Sequence, residues 1–299
     1  MRNQATNLVE YKEQLLNRVA LMRINGTVEE NVTSVEEVLN VLETLHRASR
    51  LAEWGDDEVR RQNDWLIEQL IWCSRSMMLL MTDTPRILGA LDGGPRPDVV
   101  SIVVLQRGFV EAFLMYNHLF CTSADLEEKK FRVNAWLYSG VLLRRKHLST
   151  LVEYSARRAY DDKLQLKLRE RLLESPYMKE LSPELQSQLL DEGNARLSKS
   201  WEDILREVRV ADHVLMAMGF SLLSVFEHPD AVELMELSTG YARRELATER
   251  LRRVCMETKL YIAYLIKQIK EQHDDLRAVY EDLSEDKRYM VSFYSGLPD

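Results

Sequence analysis

An all-α protein, built as a multi-helix up-and-down bundle, is the fold class this sequence predicts, and three observations carry it. Eleven glycines and seven prolines in 299 residues are few, so the residues that punctuate turns are scarce and the elements between them are long. Leucine, glutamate, arginine, methionine and alanine are plentiful, and each is a good helix former. Apolar residues recur at three- and four-residue steps along nearly the whole chain, the period that lines one face of a helix.

Taken in order, Leu8, Tyr11, Leu15, Val19 and Met22 mark a first helix that Asn25-Gly26 stops. Val35, Val38, Leu42 and Leu45 mark a second, running toward Trp54-Gly55. Asp56 and Asp57 can cap a third, whose stripe is Leu66, Leu70, Cys73 and Met77 and which fades by Pro85. The run Gly93-Gly94-Pro95-Arg96-Pro97 is the best boundary. It divides an N-terminal helical region, 1–92, from a bundle over 93–299, with one continuous domain as the alternative. Pro97 and Asp98 suit the first turn of the next helix, where a missing N–H costs nothing and an acid meets the positive helix end.

A long helix is expected from about Ala124 to Tyr160, with a weakly patterned charged stretch after it. Short helices follow around Ser175-Pro176 and Ser182-Pro183. Ser200, with Asp203 three residues on, opens a further long helix that Pro229 ends or bends. A last long helix runs from near Tyr241 into the 280s, with a loose tail expected beyond it.

The formal net charge of −8 argues against a protein that grips duplex DNA, which needs a basic surface. Two local basic runs stand against that balance, Arg144-Arg145-Lys146-His147 and the cluster Arg243, Arg244, Arg250, Arg252 and Arg253. Three cysteines, Cys73, Cys121 and Cys255, are far apart and lie in or beside apolar helical stretches. They read as reduced structural thiols, with no disulfide and no metal site expected. The N-terminus lacks the apolar run of a signal peptide, and the most apolar segment, Val99 to Phe120, is broken by Arg107, Glu111 and His118. No membrane span is expected, and the cytoplasm is the expected location.

Two helices carry chemical information. From Pro97 to Phe120 apolar side chains cover almost the whole circumference, as expected of a helix at the centre of a bundle. Arg107, Glu111 and His118 fall within about 40° of one another at 100° per residue, so they form one polar stripe. Gly108 beside them would let another backbone approach. The stripe is either a self-satisfying i, i+4 ion pair that fixes packing register, or the wall of a pocket in which Arg107 binds an anion. On the second helix, Ala217, Ser221, Ser224 and His228 share a face of small or polar residues. His228 stands just before Pro229 near the negative helix end, where it either caps its own carbonyls or acts as an imidazolium.

The segment Gln106-Arg107-Gly108-Phe109-Val110-Glu111-Ala112, followed by Phe220-Ser221-Leu222-Leu223-Ser224-Val225-Phe226-Glu227-His228-Pro229-Asp230, resembles a bacterial all-helical domain family. Members of that family are similar to the HEPN superfamily, named for nucleotide-binding proteins of higher eukaryotes and prokaryotes. The likeness covers roughly residues 97 to 270 and rests on Arg-x-x-x-Glu and Ser-x-x-x-His-Pro. It implies a HEPN-like helical core with extra N-terminal helices, often dimeric, in a superfamily rich in defence ribonucleases. Those enzymes carry an arginine and a histidine with four to six residues between them. Only Arg206 and His213 stand at that separation here, and His228 has no such arginine before it.

Other chemistries find no support. A di-iron bundle needs two Glu-x-x-His pairs and only Glu43/His46 exists. His273-Asp274 lies too near the C-terminus for a phosphohydrolase site, and Asn194/Ser198/Glu202 finds only Asp56-Asp57-Glu58, which reads better as a helix cap, for the aspartate-rich partner motif of terpene synthases. No cofactor or metal is expected. Two readings remain. One is an interaction or assembly module, working as a homodimer or with a protein partner in bacterial defence. The other is a metal-independent ribonuclease or nucleotide-acting enzyme acting on RNA, with Arg107 on phosphate, His228 as acid or base, Glu111 orienting one of them, and His118, Ser224, Arg206 and His213 as secondary candidates.

Overall fold

Thr27 shows how the sequence writes this fold. Its hydroxyl accepts the Glu30 N–H at 3.2 Å while the Glu30 carboxylate accepts the Thr27 N–H at 2.6 Å. This capping box satisfies two orphan donors and launches helix α1, Val28–Ser49. Asp56 does the same for α2, Asp57–Thr82, its carboxylate accepting the Glu58 and Val59 N–H groups at 2.8 and 3.0 Å. The computed structural model describes residues 26–82, 99–148, 152–197, 199–208 and 244–296. Among them are eleven α-helices and no strand, so the all-α class holds. The first predicted helix and the Gly93–Pro97 boundary lie outside the described residues.

Helix α3, Val99–Tyr116, runs on into a π-helical turn at Asn117–Cys121. The long helix expected from Ala124 to Tyr160 is instead two, α4 at Leu126–Leu148 and α5 at Val152–Glu174. The apolar stripe of α4 gives out at Arg144-Arg145-Lys146-His147, and a new stripe, Leu164, Leu168 and Leu172, begins only on α5. The charged stretch thought weakly patterned is therefore a helix in its own right. Short helices α6, Pro176–Glu180, and α7, Pro183–Ser187, start on their prolines as expected. A second π-helical turn, Gln188–Glu192, follows and ends at Gly193 with φ 73°. Helix α8, Trp201–Glu207, opens with the full Ser200/Asp203 capping box.

The C-terminal tail is not loose. Beyond α9, Arg244–Lys270, lie α10, Asp274–Glu281, and α11, Glu285–Ser295, which Gly296 closes at φ 67°. The expected single helix breaks at Gln272-His273, where His273 takes an extended backbone and acts as the N-cap position of α10.

The chain forms two compact units, each drawn from separated segments. The first takes Met1–Ala52, Leu66–Phe113 and Arg209–Asp299. Here α9 packs on α1, α10 and α11, burying Tyr264, Leu265, Ile266 and Ile269 almost completely. Phe113 and Phe109 on α3 meet the Tyr261 ring edge-on, with centroids 4.9 and 6.0 Å away. Lys259 is buried, yet its ammonium reaches Asn31 Oδ1 at 3.2 Å and sits 4.8 Å over the Tyr294 ring, which answers its charge without an acid.

The second unit takes Glu53–Trp65 and Leu114–Val208. Helices α4 and α5 run antiparallel around a core of Phe131, Tyr138, Val141, Leu168, Leu172 and Leu189. The Tyr138 hydroxyl donates to the Leu190 carbonyl at 2.8 Å, and Ser139 donates to that of Gly193. Gly193 is left-handed, and a Cβ there would stand 3.3 Å from Leu142 and 3.4 Å from the Ser139 Cα. Backbone conformation and close approach both demand glycine. Asp161, fully buried, is answered by Arg144 at 3.3 Å and Arg157 at 3.7 Å.

Candidate functional site

The predicted stripe on α3 resolves into two environments. Arg107 Nε and Nη2 both reach Glu111 Oε1 at 2.8 Å, the geometry that i, i+4 spacing allows on one helix face. The pair lies on the open side of α3, next to exposed Val104 and Gly108, with side-chain exposure of 12% for Arg107 and 35% for Glu111. Among the described residues a Cβ built at Gly108 would meet nothing within 4 Å, so no close backbone approach is made there by any of them.

Gln106, one residue earlier, points into the first unit and donates to Glu257 Oε2 at 2.5 Å. Arg253 Nε donates to the other oxygen of Glu257 at 2.7 Å. A second Arg-x-x-x-Glu pair therefore stands on α9, tied to α3 through Gln106. The sequence carries its signal, since Arg253 and Glu257 repeat the spacing of Arg107 and Glu111, though the arginine also belongs to a basic cluster.

His118 is 1% exposed, inside the π-helical turn and the second unit. The groups facing it are Arg132, Lys199, Arg196 and the Ala195 carbonyl. Burial first, then these three cations, push its pKa down to about 3, with the Ala195 carbonyl opposing. It is a neutral imidazole at any ordinary pH. Arg132, itself buried, donates to the His118 carbonyl, to Thr122 Oγ1 at 2.8 Å and to Glu128. That fan of bonds clamps the turn where the π-helical geometry has freed carbonyls.

Arg206 is exposed on α8 and bonded to Glu202 at 2.6 Å, with Asp203 at 3.6 Å. His213, Ser224 and His228 lie outside the described residues. The structure thus brings Arg107 to Glu111 and sets His118 and Arg206 in surroundings of their own. Cys73, Cys121 and Cys255 form no disulfide among the described residues. Burial raises the Cys121 thiol to about 12 and that of Cys255 to about 11, which makes both inert. Among the described residues no three of His, Cys, Asp and Glu converge as metal ligands, and no helix is long and apolar enough to cross a membrane.

A cleft of about 310 Å³ opens in the second unit, lined among others by Asp56, Glu58, Lys130, Asn134, Arg171 and Glu174. Most of its charges have occupations nearby. Asp56 caps α2, Glu58 bonds Arg61 at 2.6 Å, and Glu127 bonds Lys130 at 2.8 Å. Compared with protein-family models, curated proteins and solved structures, the chain matches none.

Proposed function

We propose that this protein is a helical interaction module that self-associates through the outer face of α2. The observation that carries this reading is on that helix. Trp72 is 65% and Leu79 53% exposed, seven residues apart and so on one face, at the repeat by which helices pair. A lone exposed leucine is ordinary, but a tryptophan left in water one heptad away is costly unless something covers it. One helix face is self-complementary under a two-fold axis, which makes a second copy the simplest cover. Sedimentation equilibrium tests it: the wild-type chain is expected to be dimeric at micromolar concentration, and Trp72→Glu/Leu79→Glu monomeric with unchanged helicity. A wild-type monomer under those conditions ends the proposal.

The second reading, a metal-independent ribonuclease, is supported by the Arg107–Glu111 pair on an open helix face. The arginine holds phosphate once the carboxylate releases it, and His228 serves as acid or base. RNA cleavage that persists in EDTA and disappears in both Arg107→Ala and His228→Ala is the expected outcome; cleavage that stops on chelation removes this mechanism. The defence setting rests on the motif resemblance alone.

A further inference from the structure

Helix α5 carries a charge pattern at odds with the protein as a whole. Against a net charge of −8, Arg157, Lys163, Lys167 and Arg171 all fall within about 60° of Tyr160 on the helical wheel. All five side chains are exposed, Tyr160 at 61%. The line from Arg157 to Arg171 is about 21 Å long at 1.5 Å per residue.

Two of the described acids of α5 are engaged away from this flank. Asp161 is buried and held by Arg144 and Arg157, and Asp162 pairs with Arg145 at 3.1 Å. Glu170 lies toward the neighbouring face, about 80° from Tyr160, and Glu174, about 40° from Tyr160, stands on the flank itself and closes the row at the cleft. Lys163, Lys167 and Arg171 have no acidic partner among the described residues. Beside them runs an apolar strip: Leu166 is 64% and Leu173 42% exposed, again seven residues apart.

We infer that this flank of α5 docks an acidic, amphipathic helical segment of a partner protein. The segment's carboxylates meet Lys163, Lys167 and Arg171, and its apolar residues cover Leu166 and Leu173. A row of unpaired cations attracts and orients an acidic partner, while burying the two leucines supplies affinity that salt does not screen. Single-stranded nucleic acid is the rival occupant. It would use the cations and the Tyr160 ring but leave both leucines in water, and those leucines decide for protein. The inference rests on the reading of this chain as an interaction module, though on a different surface from α2.

The test uses the full chain and a fluorescein-labelled synthetic peptide with glutamates on one helical face and leucines on the other. A serine-for-leucine version of the peptide and a uridine oligomer of equal charge serve as rivals. Anisotropy is expected to show saturable binding that weakens as salt rises. Affinity is expected to fall at least about tenfold for Lys163→Glu/Lys167→Glu/Arg171→Glu and several-fold for Leu166→Ser/Leu173→Ser, with circular dichroism confirming that both variants fold. The Trp72→Glu/Leu79→Glu chain is expected to bind the peptide as wild type does, so loss of self-association and loss of docking are read separately. No binding by wild type, equal binding by the charge-reversed chain, or tighter binding of the uridine oligomer or the serine peptide overturns the inference.

Discussion

Two polar sites sit along one helical stretch, Arg107–Glu111 on α3 and His118 in the π-helical turn that continues it, and they are stabilised in opposite ways. The first pair bonds across one turn of its own helix, with the Glu111 carboxylate 35% exposed to water. The second is sealed, its imidazole neutral, and its backbone carbonyl is held by an arginine fourteen residues on. What separates them is water. An ion pair that solvent can reach contributes little because water offers each charge an alternative. A buried arginine with several acceptors has no alternative, so its removal strands them all.

The largest expected effect follows from that difference. Arg132→Met leaves Glu128, whose side chain is 16% exposed, and the His118 carbonyl without their donor. Urea unfolding is expected to show a loss of about 3–5 kcal/mol; a loss below about 1 kcal/mol would erase the contrast between the two sites.

Next comes pH. The folded pKa of His118, about 3, lies below its ordinary 6.5, so the unfolded chain takes up the proton first. The stability this histidine contributes is complete above about pH 6.5 and drains away as pH falls toward about 3, with a slope on the order of 1 kcal/mol per pH unit. Melting temperatures of wild type and His118→Gln from pH 7 to pH 5 are expected to converge on acidification. Parallel curves would mean that the imidazole is not the titrating group.

Smaller effects are expected on α3. Read as a structural pair, the stripe predicts a cost of roughly 3–5 kcal/mol for Glu111→Ala, which would leave Arg107 buried and unpaired. With the carboxylate 35% exposed, the expected cost drops to about 1 kcal/mol or less, measurable by the same unfolding curves. Gly108→Ala is expected to go the other way and stabilise by about 0.5–1 kcal/mol, since alanine favours the helix and its methyl meets open space. A destabilised Gly108→Ala would show that this face is covered after all.

How much was legible varies residue by residue. The caps at Asp56 and Ser200 were readable because a side chain bonding its own backbone two or three residues on is a local event. The Thr27/Glu30 box is equally local, but the apolar stripe of that helix begins only at Val35, about two turns after its start. The break after Leu148 was hidden, since both flanking segments are good helix formers and only a change in which face is apolar separates them. On α3 the wheel gave the spacing of Arg107 and Glu111 but not how unequally they are exposed, 12% against 35%. A helix apolar nearly all round does not say which side its neighbours leave open.

By itself, then, the sequence determined the secondary structure class, most helix starts, the proline-led short helices and the i, i+4 pair, all products of interactions a few residues long. Tertiary structure alone decided that α4 and α5 fold back on each other and that Glu257 gathers Gln106 and Arg253. It also decided that His118 is entombed while Glu111 stays partly open to solvent. Those outcomes depend on which helix faces meet, and burial is a property of neighbours far along the chain, which no local spacing encodes.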